Sequence, residues 1–312
     1  MDKECNEDFK KKEEKDMIVV RIQGGLGNQM FQYALYEWLL SNEKDVKLDI
    51  SSYSMNVKKS KVDTVHNGYE LERIFNLNPS YASYREACEV GDISRDVINR
   101  VRRSFLGKKK THITRDTLNS NGWYSDDLLA MDDVYLDGYW CTFKYSEAIK
   151  ETIIDRFSFA EVKDKANKDI IEKIKGCNSV SLHIRHGDYL YLTDRFCALD
   201  ENYYYRAIKK IKEQVENPVF FCFSDDIEWC KENIKEDNIF FIDWNKKENS
   251  FMDMQLMSLC KHNILANSTF SMWGAWLNRN PHKIVIRPKR IFVNPSDELS
   301  DFWPNEWVVL DN

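Results

Sequence analysis

The apolar positions of this chain fall into short runs and stripes, and their spacing predicts an α/β architecture. Met17–Ile22 (MIVVRI) is a strand-length apolar run that leads directly into Gly24, Gly25 and Gly27. From Asn28 to Leu40 the residues Met30, Phe31, Ala34, Leu35, Trp38 and Leu39 recur at helical spacing, which predicts a helix with one apolar stripe. Val46–Ile50 and Val134–Leu136 predict further strands, and Tyr145–Phe157 a helix. Between them, from Ser51 to Asp133, few periods are clear. The second half alternates more plainly. Strands are predicted at Ser179–Ile184, Val219–Phe223, Ile239–Ile242, Asn263–Ala266 and Lys283–Ile286. Helices are predicted at Asn202–Glu216, Ile227–Ile234, Ser250–Leu259 and Met272–Asn278. Strands alternating with helices imply parallel βαβ units wound on both faces of a sheet. The expectation is an α/β fold of two Rossmann-type units facing a central cleft, one over residues 17–160 and one over 161–312.

Composition narrows the picture. The first sixteen residues, MDKECNEDFKKKEEKD, have no apolar core, so they read as a disordered or frayed leader and not as a secretory signal or anchor. No window approaches the ~18 apolar residues of a membrane span. The 312 residues carry 45 basic and 51 acidic side chains, a net charge of −6. That balance argues against coating nucleic acid, which needs a broad positive face, and leaves room for a small anion held by a few local cations. Eight cysteines show neither CxxC pairs nor zinc spacing and read as reduced thiols of a cytoplasmic protein.

Chemistry-bearing residues gather where predicted strands end. The GGLGN turn (Gly24–Asn28) enters a helix in phosphate-loop geometry, although it is neither GxGxxG nor a P-loop, and Asn28 and Gln29 could instead cap the helix. His183 and Arg185 stand two apart at a strand's carboxyl end, so they point the same way, and Arg185 offers a planar fork for phosphate oxygens. A turn in which Arg185 pairs with Asp188 would need no ligand. Asp225 and Asp226 read better as helix-capping acids than as metal ligands, since no third ligand is in sight. Ser250 and Asp253 have capping-box spacing. The run Asn267–Ser271 (NSTFS) crowds hydroxyls at a strand end before a short helix, and a shared nucleotide-diphosphate site is the economical explanation of all three segments.

GGLGNQMFQYA (Gly24–Ala34), GYW (Gly138–Trp140), HIRHGDY (His183–Tyr189), FSDD (Phe223–Asp226), ANSTFSMWGAWL (Ala266–Leu277) and FWPNEWVVL (Phe302–Leu310) resemble, in this order, the α-1,2-fucosyltransferases of glycosyltransferase family 11. The resemblance implies a GT-B-type fold, GDP-fucose as donor, no metal or other cofactor, and inversion at the fucose anomeric carbon. The acceptor it implies is O2 of a terminal β-galactose on a glycan. A different linkage or acceptor, or a nucleotide-sugar-binding protein without catalysis, stays open. It further implies that Arg185 binds the diphosphate, that His183 and Asp253 lie against guanosine, and that Ser268, Thr269 and Phe270 flank the nucleotide. Gly25, Gly27, Asn28 and Gln29 would face it from the other unit, with His186 and Asp225 beside Arg185. The family usually carries a second arginine where this chain has His186; the expectation is intact activity with a donor affinity that falls as pH rises from about 6 to 8. Asp188 is the candidate general base. The acceptor would meet the Ser51–Asp133 stretch, whose Tyr53, Tyr69, Phe75, Tyr81, Tyr84, Trp123 and Tyr124 could stack on sugar rings. Its lysine-rich pieces (Lys58–Lys61, Gly107–Lys110) could touch an anionic membrane carrying a lipid-linked glycan, or could be solvated loops.

Overall fold

The computed structural model describes residues 17–54, 66–118, 122–187, 192–297 and 301–312; the expected leader and Asp188 lie outside the described residues. The first half contributes β1 (Met17–Arg21), α1 (Leu26–Ser41), β2 (Asp45–Asp49), α2 (Ser51–Ser54), α3 (Leu71–Phe75), α4 (Tyr84–Val90), α5 (Val97–Leu106), β3 (His112–Ile113), β4 (Tyr135–Leu136), α6 (Lys144–Ala148) and α7 (Lys150–Arg156). Its four strands form a parallel sheet in the order β2-β1-β4-β3. The second half contributes α8 (Lys165–Lys175), β5 (Asn178–Ile184), α9 (Glu201–Lys212), β6 (Pro218–Ser224), α10 (Ile227–Asn233), β7 (Ile239–Ile242), α11 (Phe251–Leu259), β8 (His262–Ile264), α12 (Thr269–Trp276), β9 (Val285–Pro288) and β10 (Val308–Leu310). These six strands form a second parallel sheet in the order β10-β9-β8-β5-β6-β7. The expected α/β fold is the one observed, with two parallel sheets.

The strands are apolar on both faces because helices cover both faces of a parallel sheet. Ile18 and Val20 of β1 join the cluster around α1, whereas Val19 between them packs with Ala87 and Val90 of α4. In the second sheet Val180, Leu182 and Ile184 lie with Tyr203, Ala207 and Ile211 of α9. Phe221 and Phe223 face the other way, onto Ile170 and Ile174 of α8 and Leu256 and Met257 of α11. Alternate residues of each strand thus serve different layers, as a period of two requires.

Helix α1 departs from the single stripe its sequence predicts, being buried on nearly every side from Leu26 to Leu39. The reason is α12, whose Met272, Trp273, Ala275 and Trp276 enter the core of the first half and not that of their own sheet. Trp273 lies 4.9 Å from Phe31 and 5.1 Å from both Phe143 and Phe157 between ring centroids. The carboxyl-terminal Phe302, Trp303 and Trp307 join the same core, and the Asp301 carboxylate accepts from the backbone N–H groups of Trp123 and Tyr124. One continuous core therefore ties the two sheets together.

Other departures are local. The Ser51–Asp133 stretch contains α3, α4, α5 and β3; α3, α4 and β3, of two to seven residues, are too short to register a period, whereas α5 carries Val97, Ile98, Val101 and Phe105 at helical spacing. Strand β9 starts two residues after the predicted Lys283, because the Lys283 ammonium is engaged in capping α12 through the carbonyls of Ala275 and Asn278, at 2.7 Å each. Helix α12 begins at Thr269, three residues before the prediction, with Ser268 as its N-cap.

Candidate active site

A cavity of about 1130 Å³ lies between the sheets, at the carboxyl ends of their strands. Its first-half wall begins at the glycine turn. Gly24 has a left-handed backbone (φ 81°). A Cβ on Gly27 would stand 2.6 Å from the carbonyl carbon of Thr269, so only glycine lets the first turns of α1 and α12 meet. Trp273 fixes the contact by donating its indole N–H to the Gly27 carbonyl at 3.0 Å. Gly25, Gly27 and Asn28 from α1, and Ser268, Thr269 and Phe270 from α12, consequently border one space. The amino ends of two helices, with N–H groups that have no partner inside the helix, converge on it, a favourable setting for an anion.

From the second sheet, β5 and β6 bring in the charged groups. Arg185 follows the end of β5, and its Nε lies 3.2 Å from the Asp225 carboxylate at the end of β6. The other Asp225 oxygen accepts from the backbone N–H groups of His186 and Gly187 at 3.0 and 3.3 Å, which fixes the turn carrying Arg185. Asp226, its neighbour, caps α10 through the N–H of Trp229. The helix-cap reading therefore holds for Asp226, while Asp225 lines the cavity and holds the arginine turn.

His183 and Asp253 are the two perturbed groups of this wall. His183 is buried, its Nδ1 has no hydrogen-bond partner among the described residues, and burial together with the Arg185 cation lowers its pKa to about 3. It is a neutral imidazole at 5.8 Å from the Phe270 ring. Asp253, on α11, has its pKa pushed up to about 7 by burial, against one hydrogen bond of 2.8 Å from the Asn245 amide. The capping box expected for Ser250 and Asp253 is not formed, because Ser250 has helical dihedrals and caps nothing with its side chain. Its hydroxyl instead accepts from Asn67 of the first half at 3.3 Å.

Gln29 and His186 stand apart from this grouping. Gln29 is buried behind the glycine turn, donating to the carbonyls of Gly24 and Gly68 and accepting from the N–H of Glu70, so it braces the loop. Gly25 is the N-cap of α1 and neither Asn28 nor Gln29 caps it. The His186 ring stacks on Trp229 at 4.4 Å, and its Nδ1 meets the Asp226 carboxylate at 2.8 Å, outside the cavity lining. Asp188 lies outside the described residues.

The first-half wall continues through Thr114, Arg115 and Asp116 after β3 and Asp137, Gly138 and Tyr139 after β4, with His66, Asn67 and Glu70 at its edge. Of the seven aromatic residues named from the sequence, Trp123 borders the cavity; the Tyr53 hydroxyl donates to the Gly24 carbonyl and Phe75 is core. Asn67 and Arg73 bridge to the second half through the carbonyls of Lys247 and Glu248, both at 2.8 Å. Residues missed in the sequence include Asn245, which orients Asp253 and is itself held by Asn167 at 3.0 Å, and Arg195. No spacing marks either; Tyr139, by contrast, sits inside the quoted GYW motif. Among the described residues no group of three or more His, Cys, Asp or Glu side chains is placed to hold a metal ion.

Residues 124–311 match the model of Glycosyl transferase family 11. The chain is 34% identical to an α-1,2-colitosyltransferase of Escherichia coli over 95% of this chain and 99% of that protein. It is 32% identical to the O-antigen biosynthesis glycosyltransferase WbnK of Escherichia coli, over 91% and 98% of the two chains. Among solved structures it is similar to the fucosyltransferase NodZ from Bradyrhizobium, with 13% identity, a TM-score of 0.48, and coverage of 83% of this chain and 92% of that one.

Proposed function

The chain belongs to glycosyltransferase family 11, and on that premise we propose that it moves L-fucose from GDP-fucose to O2 of a terminal β-galactose, inverting the anomeric carbon without a metal ion. The observation that carries this reading is the meeting of two helix amino ends, at Gly27 and Thr269, beside the Arg185 guanidinium. In the reaction the acceptor oxygen bonds to the anomeric carbon while the bond from that carbon to the diphosphate breaks. Arg185 and the N–H groups of α1 and α12 receive the charge that develops on the departing GDP, a role otherwise given to magnesium. Asp225 keeps the Arg185 turn in place, so the cation costs little reorganisation. His183, neutral and with a free ring nitrogen, and Asp253, which as a carboxylate accepts from the N1–H and amino group of guanine, take the nucleoside. Asp188 is assigned the acceptor proton.

GDP-colitose is a second donor reading, favoured by the 34% identity to an α-1,2-colitosyltransferase. GDP release from each donor, measured with EDTA present against lactose and N-acetyllactosamine, tests both readings beside Arg185→Ala and Asp188→Asn. Acceptor-dependent release from GDP-fucose that survives EDTA and disappears in Arg185→Ala is expected. Release from GDP-colitose alone would transfer the reading to that sugar, tight donor binding without release would leave a binding protein, and near-normal turnover of Asp188→Asn would place the base elsewhere.

A further inference from the structure

Helix α5 is inside out. An ordinary surface helix buries its apolar stripe and shows water its charges. In α5 no residue is buried, and Val97, Ile98, Phe105 and Leu106 are 72%, 82%, 82% and 76% exposed, with Val101 at 51%. Val97, Ile98, Val101 and Phe105 fall within about a third of the helix circumference at 3.6 residues per turn, so they make one continuous outward ridge. The face turned to the protein is the charged one. Arg102 and Arg103 both pair with the buried Asp92 carboxylate, which also accepts from the backbone N–H of Lys109. Asp96 caps the helix by accepting from the N–H of Asn99 at 2.7 Å. The helix is thus fastened by ion pairs and its cap, with its apolar ridge left uncovered.

The charge around the ridge tells what covers it. Residues 95–110 contain seven basic side chains and one acidic one, 7 − 1 = +6, in a chain whose total is −6. Arg95, Arg100 and Lys110 are exposed on the same segment, while Lys108 is turned toward His112 and Asp137. A second copy docked face to face would bring two such positive clusters together, and nucleic acid offers no place for a ridge of valine, isoleucine and phenylalanine. An anionic bilayer surface satisfies both halves of the pattern: headgroups take the cations while the ridge enters the acyl boundary. We infer that α5 and the basic loop after it form a docking surface by which this protein lies on an anionic membrane. The surface is separate from the donor cavity, none of whose lining residues belongs to α5.

The test is co-sedimentation of the full chain with vesicles of phosphatidylcholine alone or mixed with phosphatidylglycerol, at low and high salt. Wild type is expected to partition onto the mixed vesicles at low salt and to stay in solution with the neutral ones. Ile98→Ser/Phe105→Ser, which removes exposed apolar groups, is expected to reduce partitioning by roughly tenfold or more. Arg100→Glu/Lys110→Glu should abolish it, with matching circular dichroism showing that both variants keep the fold. Absence of binding by wild type, or equal binding by Ile98→Ser/Phe105→Ser, would overturn the inference. So would a wild-type dimer in light scattering that Phe105→Ser converts to monomer, since a second copy would then own the ridge.

Discussion

The two walls of the cavity are built differently. On the first-half wall the charged and amide groups find partners within the protein: Asp137 is gripped by Arg21 at 2.8 Å and His112 at 3.0 Å, and Gln29 uses both ends of its amide on backbone, while the buried Trp123 indole N–H is the exception, with no partner among the described residues. On the second-half wall groups are left wanting. Among the described residues His183 keeps a buried nitrogen unbonded, and Asp253 has one hydrogen bond where an ionised carboxylate accepts several. Leaving a buried polar group short of partners costs about 1–3 kcal/mol, a cost a ligand can remove. On the proposed reading, the first wall shapes the cavity and the second reads a ligand.

The sharpest way to break the contrast is Arg185→Ala. If the second-half wall carries the chemistry, kcat/KM for the GDP-sugar falls by roughly 10²–10³, the size expected for losing a donor to a charged transition state. Arg185→Lys should recover little, because a point charge cannot replace the fork that meets both Asp225 and phosphate oxygens. A loss below tenfold would mean that the helix ends do this work without the guanidinium.

The seam where the walls meet comes next. Gly27→Ala puts a Cβ 2.6 Å from the Thr269 backbone, which cannot yield as a flexible side chain would. The expected cost is about 1–3 kcal/mol of stability, read by thermal unfolding, with a parallel loss of donor affinity as the two helix ends are forced apart. Gly25→Ala is the control: its Cβ would find nothing nearer than the His66 Cβ at 4.0 Å, and its stability should change little. Equal effects at both positions would remove the seam from the argument.

The same contrast explains what was legible in the sequence. Most second-half strands are legible because apolar residues recur at successive or alternate positions between helical stretches, and residues that line the cavity sit at their ends, at Arg185 and in the NSTFS run. The first half hides its wall. Residues such as Thr114 and Arg115 follow β3, a strand of two residues, and no pattern of that length distinguishes strand from loop. That Trp273 belongs to the core of the other half is equally invisible, since hydrophobicity marks a residue for burial without naming the layer that receives it. Asp253 is named for the cavity only by the resemblance, while its spacing from Ser250 suggests a cap that the helical dihedrals of Ser250 rule out.

Asp253 supplies a pH test of smaller size. Burial sets its pKa at about 7, and on the proposed reading the N–H donors of guanine would stabilise the carboxylate and lower it. GDP affinity should therefore rise as pH increases toward about 7, by up to roughly tenfold per unit on the acid side, and level off above it. Isothermal titration across pH 5.5 to about 8 in buffers of different ionisation enthalpy should show proton release on binding below pH 7. Asp253→Asn should bind more weakly and with a flat profile; a wild-type profile equally flat would place the guanine elsewhere.

His186 predicts the smallest effect. From its place beside Arg185 alone, the expectation was a positive field that fades between pH 6 and 8. The ring, however, is turned onto Trp229 and the Asp226 carboxylate, and that hydrogen bond holds the Asp226 carboxyl below its ordinary range. A ring that lies outside the cavity lining and is engaged by a carboxylate 2.8 Å away projects little field into the cavity. His186→Arg and His186→Ala should therefore change GDP affinity by less than about threefold, and the rise with pH set by Asp253 should persist in both. If instead wild-type affinity falls from pH 6 to 8 and His186→Arg abolishes the fall, this histidine acts on the donor despite its orientation, and the reading wall extends past Arg185 to the turn beyond it.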